Sequence, residues 1–151
     1  MIRFLFTTYF IITAHFLVNI QAQEKVLIDI PAAESLSQDA TKLIFERKSD
    51  EAFNLLSLYW PYSQEDLHTL SDKFKLENEG IQESFGALIS YEKGPVYEIS
   101  NFRRRIIYYL RYDYFALRLI FEFHQSQKGW ILNGFKYSQE MDDDFQKVKS
   151  E

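Results

Sequence analysis

No cysteine occurs in the 151 residues, so the fold has to be held by burial instead of disulfide staples, and no lipid-anchoring cysteine stands near the start. Asn-x-Ser/Thr acceptors are absent too, and the two absences together lean towards a bacterial periplasmic or secreted chain. There is no glycine-rich phosphate loop, no HExxH pair and no Ser-His-Asp order, which removes the motifs that would assign a reaction. Histidine is scarce: beyond the first 22 residues only His68 and His124 remain. His68 has Glu65 three residues before it and Asp72 four after, a metal-like spacing, yet all three read as one solvated helix face. The net charge of −5 argues against a nucleic-acid partner at long range. Nothing in the sequence implies a cofactor or a metal.

What is present begins with a leader-like segment. Met1 to Ala22 has one cation at Arg3, an apolar run from Phe4 to Ile20 broken by Thr7, Thr8, Thr13 and His15, and a small residue, Ala22, ahead of Gln23. That is the layout of a secretory signal peptide, and the run falls short of the ~20 apolar residues of a membrane anchor. Residues 23–137 are expected to form one domain, since a single core usually holds about 100–150 residues. Residues 138–151 read as an acidic tail, whose "MDDD" lacks EF-hand spacing. The expected location is secreted or periplasmic, without stable membrane association.

Two helical segments are predicted ahead of a run of strands. In the first, Leu36, Ala40, Leu43 and Ile44 share a helix face, the pattern restarts at Ser49 and Asp50, and Pro61 ends it. The second opens at Ser63, with Asp66 three residues on, and carries Leu67, Leu70, Phe74, Ile81 and Phe85 as one stripe. Gly86 is its expected stop, with Gly80 an earlier alternative. After Gly86 the apolar period drops to two. "ALISYEKGPVYEIS" reads as two short strands about a Lys93-Gly94-Pro95 turn, and "NFRRRIIYYLRYDYFALRLIFEFH" as two long strands divided at Asp113. "SQKG" then turns into "WILNGFKYS". Helices first and an antiparallel meander after them make an α+β fold, with the helices on one face of the sheet.

The order of a helical half, the "SFG" junction and long strands ending in "FEFHQSQKGWILNGFKYS" resembles small secreted members of the cystatin-like, nuclear-transport-factor-like superfamily, over about Leu36 to Asp144. The resemblance implies N-terminal helices packed on one face of a curved antiparallel sheet to form a cone. Many such families are domains of unknown function; others are dehydratases, isomerases, small-ligand binders or dimerisation modules. It therefore speaks for architecture more than for activity.

Alternation along the strands sorts the aromatic and cationic residues between faces. Leu117, Leu119, Phe121 and Phe123 share an inner face with Phe102, Ile106, Tyr108, Leu110 and Tyr112 of the neighbouring strand, and Arg104 points inward near the strand's edge. Arg103, Arg105, Ile107, Tyr109, Arg111, Arg118, Ile120, Glu122 and His124 take the outer face, which reads as sticky. Residues 102–137 carry seven Lys/Arg against two Asp/Glu, whereas residues 23–101 carry seven against fifteen.

Two binding readings follow. Tyr108, Tyr112, Phe121, Phe123, Trp60 and Trp130 would line the cone, holding a small apolar ligand or simply filling the space. Arg103, Arg105, Tyr109, Arg111 and Arg118 would form a homodimer interface, or else pair with acids of the helical half or the tail. The expected function is non-enzymatic: small-ligand binding or self-association. The alternative is a small-molecule dehydratase or isomerase inside the cone, which needs an inward carboxylate or histidine. None is evident, and Asp113 sits at a predicted turn.

Overall fold

The structure is a computed structural model that describes residues 25–141; the leader-like segment and all but the first residues of the tail lie outside them. Three helices, α1 (Ile30–Phe45), α2 (Ser49–Ser57) and α3 (Gln64–Phe85), precede four strands, β1 (Leu88–Ile99), β2 (Arg103–Tyr112), β3 (Ala116–Ser126) and β4 (Gly129–Ser138). The strands lie in chain order, each antiparallel to the next. Register shifts in β1 and between β3 and β4 are the bulges that bend such a sheet. Helices on one face of an antiparallel meander is the α+β layout expected from the sequence.

Local chemistry explains most helix ends. Asp29 caps α1, its Oδ1 accepting from the Ala32 N–H at 2.8 Å, and Pro31 sits in the first turn where no N–H is needed. The helix thus starts six residues before Leu36, where the apolar pattern becomes visible. The first predicted segment is in fact two helices, because Arg47 adopts φ 63° and Lys48 N–H returns to the Leu43 carbonyl at 2.8 Å. Ser63 caps α3 through its hydroxyl, which accepts from Glu65 and Asp66 N–H. Gly80 does not interrupt α3: apart from its chain neighbours and the local helix backbone, nothing lies within 4 Å of where its Cβ would be, so the glycine costs only propensity, ~1 kcal/mol.

The Lys93-Gly94-Pro95 turn is not there. β1 runs unbroken from Leu88 to Ile99 and pairs with β2 on both sides of a register shift at Lys93/Val96. Pro95 is tolerated because β1 is an edge strand and the bulge leaves it unpaired. Gly94 is required by close approach: a Cβ there would stand 2.5 Å from Tyr109 Cε2 and 3.1 Å from Ile107 Cγ2. The opposite edge is covered differently. Leu27 pairs with Trp130 through two 2.8 Å backbone bonds, and Leu132 N–H reaches the Tyr59 carbonyl at 3.3 Å.

Between the layers, Ala33, Leu36, Ala40 and Ile44 of α1, Phe53 and Leu56 of α2, and Leu67, Phe74 and Ile81 of α3 meet the inner face of the sheet. Phe85 and Phe102 depart from expectation, 38% and 41% exposed. Phe85 is the last residue of α3 and stacks on Phe115 at 4.8 Å; Phe102 precedes β2 and lies beside the His124 ring.

Asp113 has a reason to be where it is, though not one confined to its own turn. Its Oδ2 accepts from Ala87 N–H at 2.9 Å and its N–H donates to the Ala87 carbonyl at 3.1 Å, locking the β2–β3 turn to the α3–β1 junction. Gly86 makes the fit possible: its φ of 89° and ψ of −171° belong to a region open to glycine, and a Cβ would fall 2.4 Å from Asp113 Oδ2. Gly86→Ala is expected to cost about 2 kcal/mol from backbone strain and the displaced aspartate. Urea unfolding would read it, and a loss below about 0.5 kcal/mol would sink the explanation.

Candidate functional site

The outer face of β2 and β3 holds a charged residue where a solvated side chain would be ordinary. Glu122 is 6% exposed, although it points away from the helices. Register explains it. Arg105 stands opposite on β2 and Gly134 opposite on β4. Arg105 donates to Glu122 Oε1 from Nε at 2.9 Å and from its terminal nitrogen at 2.5 Å. Lys136 Nζ lies 3.4 Å and Arg103 3.9 Å from Oε2. A side chain at position 134 would press on the carboxylate, since a Cβ there would come within 3.0 Å of Oε2. Burial pushes the Glu122 carboxyl up, but the Arg105 hydrogen bonds and the charges of Lys136 and Arg105 outweigh it and hold the group below the ordinary range.

The arginines therefore find partners mainly within the sheet. Arg103 and Arg105 share Glu122, and Arg111 lies 3.8 Å from Glu92 of β1. Arg118 and Tyr109 face each other across β2 and β3, and each is engaged. Arg104, on the inner side, reaches the helical half: it bonds Glu34 of α1 at 2.8 Å and also Glu98. Its head does not lie in water, being 14% exposed.

The outer face is also less sticky than expected. Ile107 and Ile120, neighbours across β2 and β3, are 1% and 8% exposed. The Gly94 bulge packs against Ile107 and Tyr109, which accounts for part of that cover. Outward remain the guanidinium of Arg105, 49% exposed, and those of Arg103 and Arg111, with Lys136 and Glu92.

Five of the six rings assigned to the cone are buried: Tyr108, Tyr112, Phe121, Phe123 and Trp130. Tyr108 meets Phe121 edge-on at 6.2 Å, and Phe121 meets Phe135 at 5.1 Å. Trp60 is half-buried in the α2–α3 link and contacts Tyr62. A buried polar group on this side is the Tyr112 hydroxyl, which donates to Asn78 Oδ1 of α3; burial pushes this phenol up to about 12. Neither Asn78 nor Glu34 stands out by periodicity, because a polar residue on a helix stripe looks solvated until the helix is docked.

Glu34 of α1 is the carboxylate that meets Arg104 on the inner side. The Lys93 hydrogen bond, reinforced by Arg104, holds the Glu34 carboxyl below its ordinary range against the effect of burial. His68 is exposed on α3 with Asp72 at 3.8 Å. Among the described residues no three His, Cys, Asp or Glu side chains converge as a metal site would need, and no helix is long and apolar enough to cross a membrane.

No family model matches the sequence, and no curated protein matches it. Among solved structures, a crystal structure from Campylobacter jejuni that carries the name NTF2-like transpeptidase is similar, at 14% identity over 68% of this chain and 97% of that one, with a TM-score of 0.45.

Proposed function

We propose that this chain is an exported binding protein without chemistry of its own, and that it associates with a second copy through the outer sheet face. The observation that carries the reading is the Glu122 cluster. A buried carboxylate clamped by Arg105, Lys136 and Arg103 fixes cationic heads on a rigid sheet, and a preorganised array loses little freedom on docking.

A second copy brings the matching surface, because residues 25–87, which contain the three helices, carry twelve Asp/Glu against six Lys/Arg. Packing sheet face on sheet face would set Arg103, Arg105, Arg111 and Lys136 near their own copies. Sheet against acidic helical side is the better electrostatic match. Catalysis in the cone is less well supported, since a general base works best with a pKa near the operating pH, and Glu34 and Tyr112 are displaced away from it in opposite directions.

Sedimentation velocity tests the reading. In low salt the mass is expected to rise with concentration above the micromolar range, and to return to monomer at about 0.5 M salt, where charges are screened within a few Å. Arg105→Glu is expected to abolish the rise. A monomer throughout, or association indifferent to salt, would overturn it.

A further inference from the structure

Between the turn joining α1 to α2 and one stripe of α3 lies a polar groove of about 440 Å³, lined by Arg47 and Asp50 from one side and by Lys75, Asn78, Glu79 and Glu83 from the other. It belongs to the helical layer and is separate from the outer sheet face. Lys75 is used by the fold: its Nζ lies 2.7 Å from Asp50 and 3.1 Å from Asp72, tying α3 to α2. Arg47, Glu79 and Glu83 have no ion-pair partner among the described residues. Glu79 and Glu83 stand four apart on α3, where like charges repel and weaken a helix.

Two sets of donors also lack acceptors. Asn78 is 7% exposed and its Oδ1 takes the Tyr112 hydroxyl, so its amide NH2 is left with no acceptor among the described residues while the residue lines the groove. Helix α2 opens at Lys48, which supplies no side-chain cap, so the N–H groups of its first turn have no side-chain acceptor either. Both sets of donors open onto the groove and are free to take an acceptor from outside the chain.

We propose that this groove binds a small zwitterion, an α-amino acid or a short peptide. The carboxylate is taken by the Arg47 guanidinium, the Asn78 NH2 and the first turn of α2; the ammonium is taken by Glu79 and Glu83. A simple anion would answer the unused donors and leave the two glutamates repelling each other. A simple cation would do the reverse. A zwitterion answers both, and the volume lies within the ~300–1,000 Å³ of small-molecule sites.

The test is a titration of the full chain with glycylglycine and with L-glutamine, following backbone and side-chain N–H resonances. Saturable shifts are expected at the Asn78 side-chain NH2 and at the Ser49 and Asp50 amides. Acetate and ethylamine, each carrying one of the two charges, are expected to bind at least about tenfold more weakly. Arg47→Gln and the pair Glu79→Gln with Glu83→Gln change exposed positions, so the fold should persist, and each should weaken binding about tenfold. No saturable shift at tens of millimolar, an equal response to acetate alone, or unchanged affinity in these variants overturns the proposal. None of these results bears on the outer sheet face, whose test is the salt-dependent mass.

Discussion

Phe121→Ala is expected to lower the unfolding free energy by about 3–5 kcal/mol. Phe121 is fully buried at the middle of β3, with Ile106 opposite on β2 and Phe135 opposite on β4. Its ring touches those of Tyr108 and Phe135, and Phe135 continues the contact to Phe53 at 5.4 Å and Phe74 at 6.3 Å. The cavity left by alanine would open where sheet, α2 and α3 meet. Neighbours held from both layers cannot collapse into it, so the cavity cost adds to the lost burial. Urea unfolding should show a lower midpoint with an unchanged slope. The same change at Phe102, 41% exposed ahead of β2, should stay within about 1 kcal/mol. A loss at Phe121 as small as that would mean the inner rings are loosely packed, which is the condition under which an apolar ligand in the cone becomes the better reading.

Replacing Glu122 by glutamine is expected to cost about 2 kcal/mol at neutral pH and to change the shape of the acid limb of stability. The full 3–5 kcal/mol of a broken buried pair is not reached, because Arg105 keeps half its surface in water. The sign of the pH effect follows from the lowered Glu122 pKa in the folded chain. The unfolded chain takes up the proton first as pH falls. The contribution is therefore complete above the unfolded carboxylate value of about 4.3 and is lost as pH falls through the lowered folded value. Glu34 acts in the same direction, so the glutamine variant should keep part of the slope and lose the rest. An acid limb identical in both proteins would show that Glu122 is not held ionised by the fold.

The parts of this fold that local chemistry builds are legible in the amino-acid order alone. Ser63 and Gly86 bound α3, and "SQKG" turns β3 into β4, because a cap or a turn needs only a few adjacent residues. Asp29-Ile30-Pro31 carries the true start of α1, but a polar N-cap and a proline count for little without the apolar stripe that begins later. Lys93-Gly94-Pro95 has the composition of a turn and serves as a bulge. What separates the two outcomes is the Tyr109 ring against Gly94, a contact made across a strand pair.

Of the candidate site, strand alternation places Glu122 and its arginines on one face and goes no further. That Arg105 and Gly134 flank Glu122, and that the carboxylate is thereby buried, depends on the register of three strands at once. Asn78 is hidden for a related reason: its burial is decided by where α3 crosses the end of β2, not by its place on the helix.

Which face most strand residues take, and where most local devices sit, is written in the chain itself, because side-chain alternation and capping are properties of the backbone over a few residues. Which partner each charge meets is decided by tertiary structure. Arg105 is held by Glu122, Arg104 by Glu34 and Glu98, and Arg47 by no carboxylate among the described residues. Those three arginines look alike along the chain. Their differences come from strand register and helix docking, which are set by packing summed over residues far apart in sequence.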